Sequence, residues 1–197
     1  MADYTAVADV TETLVVLLRD NMAPLLTPSQ VQAGSPADLA GSGTRLGLFL
    51  FHVLENTFQK NQQGQTRNNG TLNPPPLTVD LYYLLSSYES PNVPDLTERS
   101  LEAQRVLGRA MRILYDHSLL AGTILQGNLA GSREEIRVLL HPINVEDMSR
   151  LWNTFPEQVF RLSAGYLASP VPIDSLREIS TQRVISKEMN YYQKGGK

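Results

Sequence analysis

The side chains that most often do chemistry are sparse and scattered in this sequence. It has three histidines, His52, His117 and His141, and no cysteine among 197 residues. The missing cysteine removes disulfides, thiolate metal sites and cysteine nucleophiles together, and it fits a reducing compartment. No histidine has a second ligand at metal-binding spacing, whereas zinc needs several donors converging at tetrahedral geometry. Asp116-His117-Ser118 holds the residue types of a hydrolase triad. Consecutive residues do not present their side chains as a relay, however, and no Gly-x-Ser-x-Gly elbow occurs. His117 is better explained at a helix C-terminus, where an imidazolium complements the dipole. The acid pairs Glu134-Glu135 and Glu146-Asp147 stand beside element starts, where carboxylates stabilise a helix or stay solvated. Gly41-Ser42-Gly43 lacks the Lys-Ser/Thr pair of a phosphate loop and leads into a strand instead of a helix. These residues predict a non-enzymatic chain with no cofactor and no metal; the alternatives are an enzyme with a non-local site and another structural component.

Charge narrows the partners. Seventeen basic against twenty acidic residues leave a net charge of −3, without the basic footprint that neutralises nucleic-acid phosphates. Thirteen of the basic residues are arginine, whose rigid fork of donors suits protein interfaces. The N-terminus carries Asp3, Asp9 and Glu12 where a signal peptide would carry Lys or Arg. Its longest apolar run, Leu14 to Leu18, is too short to span a bilayer. A soluble, unprocessed chain without a membrane partner is the expectation, and Asn69-Gly70-Thr71 reads as a turn, not a glycosylation site.

The elements that would position these residues can be read from periodicity. Residues 4–20 form an amphipathic helix with Val7, Val10, Leu14 and Leu17 inward, Asp9, Glu12 and Arg19 elsewhere, and Pro24 and Pro28 closing it. Residues 29–44 are rich in small residues and read as a linker. Leu46 to Val53 is apolar on both alternating faces, the pattern of a central strand covered on both sides, with His52 buried inside it. Residues 59–73 are polar and read as a long hairpin tip. From Leu77 to Leu85, Leu77, Val79, Leu81, Tyr83 and Leu85 share one face, while Thr78, Asp80, Tyr82 and Ser86 share the other. A helix follows from about Glu98 to Tyr115, with Thr97 as N-cap and Leu107, Ala110, Met111 and Leu114 inward. Its Arg105, Arg109 and Arg112 form a row that is a solvated face or an interface rail. Ile136–Leu140 is a strand, Val145–Phe155 a helix with Trp152 in its core, and Phe160–Tyr166 a strand punctuated by Pro170 and Pro172. An extended segment runs from Ile173 to about Ile185, ahead of a tail whose Tyr191 and Tyr192 either fray or anchor on a neighbour. The order predicts an α+β fold: one domain over 1–190 with a mainly antiparallel sheet flanked by helices, then a flexible tail over 191–197.

Five segments carry a family resemblance: LGLFLFHVLENTFQKN, PPPLTVDLYYLLSSYE, VLGRAMRILYDHSLL, LHPINVEDMSRLWNTF and VFRLSAGYLASPVPID. In order and spacing they resemble the tail-terminator or cap proteins of extracellular contractile injection systems. The resemblance covers most of the chain from Leu46 to Asp174. It implies a fold like phage tail terminators and a ring of six copies that closes the last layer of the inner tube and holds the upper end of the sheath. It also implies assembly in the bacterial cytoplasm before incorporation into the particle. On that basis the loop residues Arg67, Asn68 and Asn69, the helical Arg105, Arg109 and Arg112, and Tyr191 and Tyr192 are the expected contacts with tube, sheath or neighbouring copies.

Overall fold

The computed structural model describes residues 3–60, 65–66, 71–177 and 179–180. Helix α1 spans Ala6–Asn21 and buries Ala6, Val10, Leu14, Leu17 and Leu18, as the apolar stripe requires. Asp9, predicted outside that stripe, is instead 7% exposed. It is tolerated because its carboxylate accepts the Thr5 hydroxyl and the Asn128 N–H, at 2.8 and 3.1 Å.

The predicted linker over 29–44 holds short elements too brief to leave a periodic signature. After a 3-10 turn at Pro28–Gln30 come strand β1, Val31–Ala33, and helix α2, Pro36–Leu39. Ser35 caps α2 by accepting the Asp38 N–H. Then follow β2 (Leu46–Glu55), β3 (Gln65–Thr66), β4 (Thr71–Asn73), β5 (Leu77–Ser87) and α3 (Leu96–Asp116). The N-cap of α3 is Asp95, not Thr97, because the Asp95 carboxylate accepts the Thr97 and Glu98 N–H groups. The chain continues through β6 (Leu119–Ala121), β7 (Glu135–His141), α4 (Val145–Asn153), β8 (Ser163–Ile173) and β9 (Ile179–Ser180).

Six strands form one sheet in the order β1-β2-β5-β8-β7-β6, antiparallel throughout except for the parallel β1–β2 pair. Bulges between Leu50 and His52 and between Val79 and Leu81 interrupt the register, and such bulges bend strands and curl a sheet. A smaller sheet joins β3, β4 and β9. On the inner face of the main sheet Leu48, Leu81, Tyr83, Leu85, Val138 and Ala168 pack with the apolar stripes of α1 and α3. On the outer face a small cluster joins Leu84 to Met148 and Trp152 of α4.

Two strands depart from expectation. Strand β2 is not covered on both sides along its length: Val53 and Leu54 are each 44% exposed, and His52 is exposed as well. Strand β8 does not stop at its prolines but runs through Pro170 and Pro172 to Ile173. The register explains this, since β7 pairs with β8 only as far as Ser169. Beyond it β8 is a local edge, where a residue lacking an N–H breaks no ladder. Phe160 and Leu162, predicted in that strand, lie in the irregular lead-in before it, half exposed.

Candidate functional site

The groups that sequence singled out for chemistry are held apart by the fold. His117 ends α3, its Nδ1 2.9 Å from Ile113 O, as the helix-end reading expects. Asp116 faces Arg112 at 3.5 Å, while the Ser118 carbonyl accepts the Val138 N–H. The Asp116 and His117 side chains therefore have separate partners, and Ser118 is held through its backbone. Glu146 and Asp147 occupy the first turn of α4 and face Arg150 of the same helix. Glu55 and Lys60 pair at 2.8 Å beside a cleft of about 420 Å³ that Pro75, Pro76, Leu77 and Ile173 also line. Among the described residues no three metal-ligating side chains converge on one point.

Burial keeps the deeply placed phenols protonated. Burial pushes the Tyr83 phenol above its ordinary range despite the Thr11 hydroxyl 2.9 Å away. Tyr88 is pushed up to about 12 by burial, against the opposing charge of Arg161, and Tyr166 to about 12 by burial alone. Asp3 is held low, chiefly by hydrogen bonds from the Thr5 hydroxyl and N–H and from Asn128. That carboxylate fixes the start of α1.

The expected contact residues separate into two groups. Arg67, Asn68, Asn69, Tyr191 and Tyr192 lie outside the described residues. Arg105, Arg109 and Arg112 share the exposed side of α3, yet each is engaged within the chain. Arg105 pairs with Glu98 and Arg112 with Asp116. Arg109 donates to the Asn21 and Ala23 carbonyls and so clamps the end of α1 to α3.

A different surface emerges on the sheet. Strand β1 covers the outer edge of β2 only between Leu46 and Leu48, and β6 covers that of β7 only between Glu135 and Arg137. The remainder of both strands displays Val53 and Leu54 on one side of the sheet and Leu139 and Leu140, 51% and 57% exposed, on the other. Between them, on the outer face, Tyr82 sits within 5.7 Å of His52 and 5.0 Å of His141, ring centre to ring centre. Sequence reasoning missed this surface because an apolar run on both alternations reads equally as a doubly covered strand. The distinguishing signal is the partner's length: only the pairing shows that β1 stops three residues in.

The six-stranded sheet with four helices matches known tail-terminator structures. One is the sheath/tube terminator of PVC, an extracellular contractile injection system, in its extended state: TM-score 0.64, 16% identity, 99% of this chain and 66% of that chain covered. Another is the tube-terminating cap of the anti-feeding prophage: TM-score 0.64, 18% identity, 93% of this chain and 61% of that chain covered. This chain therefore spans just under two thirds of each of those proteins. A search of curated proteins gives no match. The model of the Pvc16 N-terminal domain matches residues 9–187, and with it the α+β sheet and the five ordered segments find one common account: the chain belongs to the Pvc16 N-terminal domain family.

Proposed function

We propose that this chain is a structural protein that caps the tube and sheath of a contractile injection system as a ring of six copies, without catalysing a reaction. The observation that carries the reading is the fold match over 99% of this chain to a protein described as a sheath/tube terminator. The surface chemistry agrees with it. A terminator must present contacts to its own copies and to the layers beneath, and the exposed apolar residues of β2 and β7 supply such a surface. Its partners in this reading are further copies of itself, the inner tube protein and the sheath protein. Assembly takes place in the bacterial cytoplasm, ahead of incorporation into the particle.

Electron microscopy tests it directly. The purified full chain, alone and with tube and sheath, gives six-fold rings and rings seated on tube ends. Particles assembled without it have irregular lengths. A chain that stays monomeric and leaves tube ends bare in both settings overturns the reading.

A further inference from the structure

Strands β2 and β7 lie on opposite sides of the main sheet, and among the described residues each has an outer edge that is paired only in part. Asn56 donates its N–H inward to Thr78 O at 2.8 Å. By strand alternation His52 and Leu54 also direct their backbone groups toward β5, so Val53 and Glu55 direct theirs outward. On the far side, Val138 donates its N–H outward to Ser118 O at 2.8 Å, which turns the backbone groups of Leu140 outward too. Natural edges are usually blocked by lysine, proline or an inward charge. The stretch Phe49–Leu54 contains none of these.

The two edges are complementary. Three antiparallel pairings separate β2 from β7, so the strands run in opposite directions. Val53 lies opposite Leu81, and Leu140 opposite Tyr166, which puts both side chains on the inner face. Leu54 lies opposite Asp80, and Leu139 opposite Leu167, which puts both on the outer face. Setting Leu140 of one copy against Val53 of the next makes an antiparallel, hydrogen-bonded pair. The same register places Leu139 against Leu54, on their common face, with no slip. Strands β1 and β6 cover opposite ends of the two edges, leaving two steps into which a neighbouring copy fits.

We infer that copies of this chain join edge to edge, the open edge of β2 receiving the open edge of β7 from the next copy. The contact is heterologous: two different patches of the same chain meet, and repetition of such a contact closes a ring when the rotation permits. It buries together Val53, Leu54, Leu139 and Leu140, four of the apolar residues that the isolated chain leaves exposed, with the ladder hydrogen bonds supplying direction. This assignment rests on the ring proposed above and names the surface that builds it.

The chain has no cysteine, so an introduced pair reports one contact. In the inferred register Leu54 and Leu139 form a non-hydrogen-bonded pair with Cα atoms about 4.5 Å apart, inside the range a disulfide bridges. Full-length Leu54→Cys and Leu139→Cys proteins are mixed, with tube and sheath present, and mildly oxidised. The expected product is a covalent dimer that needs both variants. A Leu54→Cys dimer formed without its counterpart would mean a two-fold contact and sink the inference. Val53→Pro removes the outward N–H without touching the ladder to β5, and Val53→Lys blocks the edge while keeping strand geometry. Both variants should melt as the wild type does and lose their rings. Rings of normal yield from both, with no mixed dimer, overturn the edge contact while leaving the ring itself standing. A wild type that never forms rings overturns both.

Discussion

The two faces of the main sheet differ in how completely the chain covers them. On the inner face α1 and α3, of 16 and 21 residues, meet Leu81, Tyr83 and Leu85, which have no exposure at all. On the outer face α4 has nine residues and reaches one end, where Trp152 covers Leu84. The other end keeps Leu54 and Leu139 in water and Tyr82 half covered. The outer face is also the more polar one, since Thr78, Asp80 and Ser86 of β5 and Ser163 and Ser169 of β8 lie on it. Side-chain polarity and the length of helix laid on each face together separate them, and they concentrate the buried core on the inner face.

The strongest way to break that contrast is to attack the inner face. Leu81 is fully buried between α1 and the sheet's central strands, so Leu81→Asp places an ionised carboxylate among apolar side chains. The expected outcome is loss of the cooperative fold, seen as no thermal transition by circular dichroism. Leu81→Ala should fold but be destabilised by about 3 kcal/mol, from lost transfer energy plus the cavity left behind. A normal melt for Leu81→Asp would mean that the faces have been assigned the wrong way round.

The covered end of the outer face should respond less. Trp152 is 4% exposed but packs in a small cluster with partly covered Phe49, Phe51 and Leu151. Trp152→Ala should cost about 2–3 kcal/mol, toward the low end for a buried aromatic because its neighbours can relax into the space. Gly165 tests how α4 is joined to this face. A Cβ there would stand 2.7 Å from His141 O and 2.5 Å from Ile143 Cδ1. Gly165→Ala should therefore cost about 2 kcal/mol by forcing β7 and β8 apart. Urea titration of both variants reads these values.

Much of the inner face was legible in sequence, because a strand with one buried side alternates cleanly. Val79, Leu81, Tyr83 and Leu85 fall where that alternation puts them, as do Leu107, Ala110 and Leu114 of α3. Leu77 does not, being 50% exposed at the strand's first position. The outer face was hidden, since its cover depends on which strands stop short, and stopping points follow from pairing. The same cause hid β1 and β6, each three residues long. Asp9 escaped for a different reason: its partner Asn128 is 119 residues away, and no local pattern reports a contact of that span. Of the expected contact residues, the three arginines of α3 were correctly placed outside the core. That each would be engaged by its own chain lay beyond what helix spacing shows.

A subtler probe of side-chain burial uses pH. Unfolded tyrosines titrate near pH 10. In the fold, burial raises Tyr83, Tyr88 and Tyr166 above that value, the latter two to about 12. Folded protein then holds phenolic protons that the unfolded chain has released. Stability should be level from pH 7 to 10 and fall as pH rises from 10 toward 12, by about 1.4 kcal/mol per pH unit for each group. Tyr83→Phe should cost about 1 kcal/mol at pH 7, since it removes the hydrogen bond with Thr11. Because the variant lacks one of the three titrations, its deficit should close by about pH 11 and reverse above it. A gap that stays constant with pH would show that Tyr83 ionises as readily in the fold as out of it.

The smallest effect is expected at the open end. Leu54 is as apolar as Leu81 and occupies the neighbouring strand, one register position from Leu81's own partner Val53. Its side chain is nevertheless 44% exposed, and it belongs to neither buried cluster. Removing it gives up little burial and opens no cavity, because water already reaches the site. Leu54→Ser should shift stability by less than about 0.5 kcal/mol, within the range of ordinary surface substitutions. Chemical denaturation of the isolated chain at low concentration isolates this term from any contribution of neighbouring copies. A loss of 2 kcal/mol or more would mean that Leu54 is covered within a single chain. The outer face would then be as closed as the inner one, and the contrast between the two faces would fall.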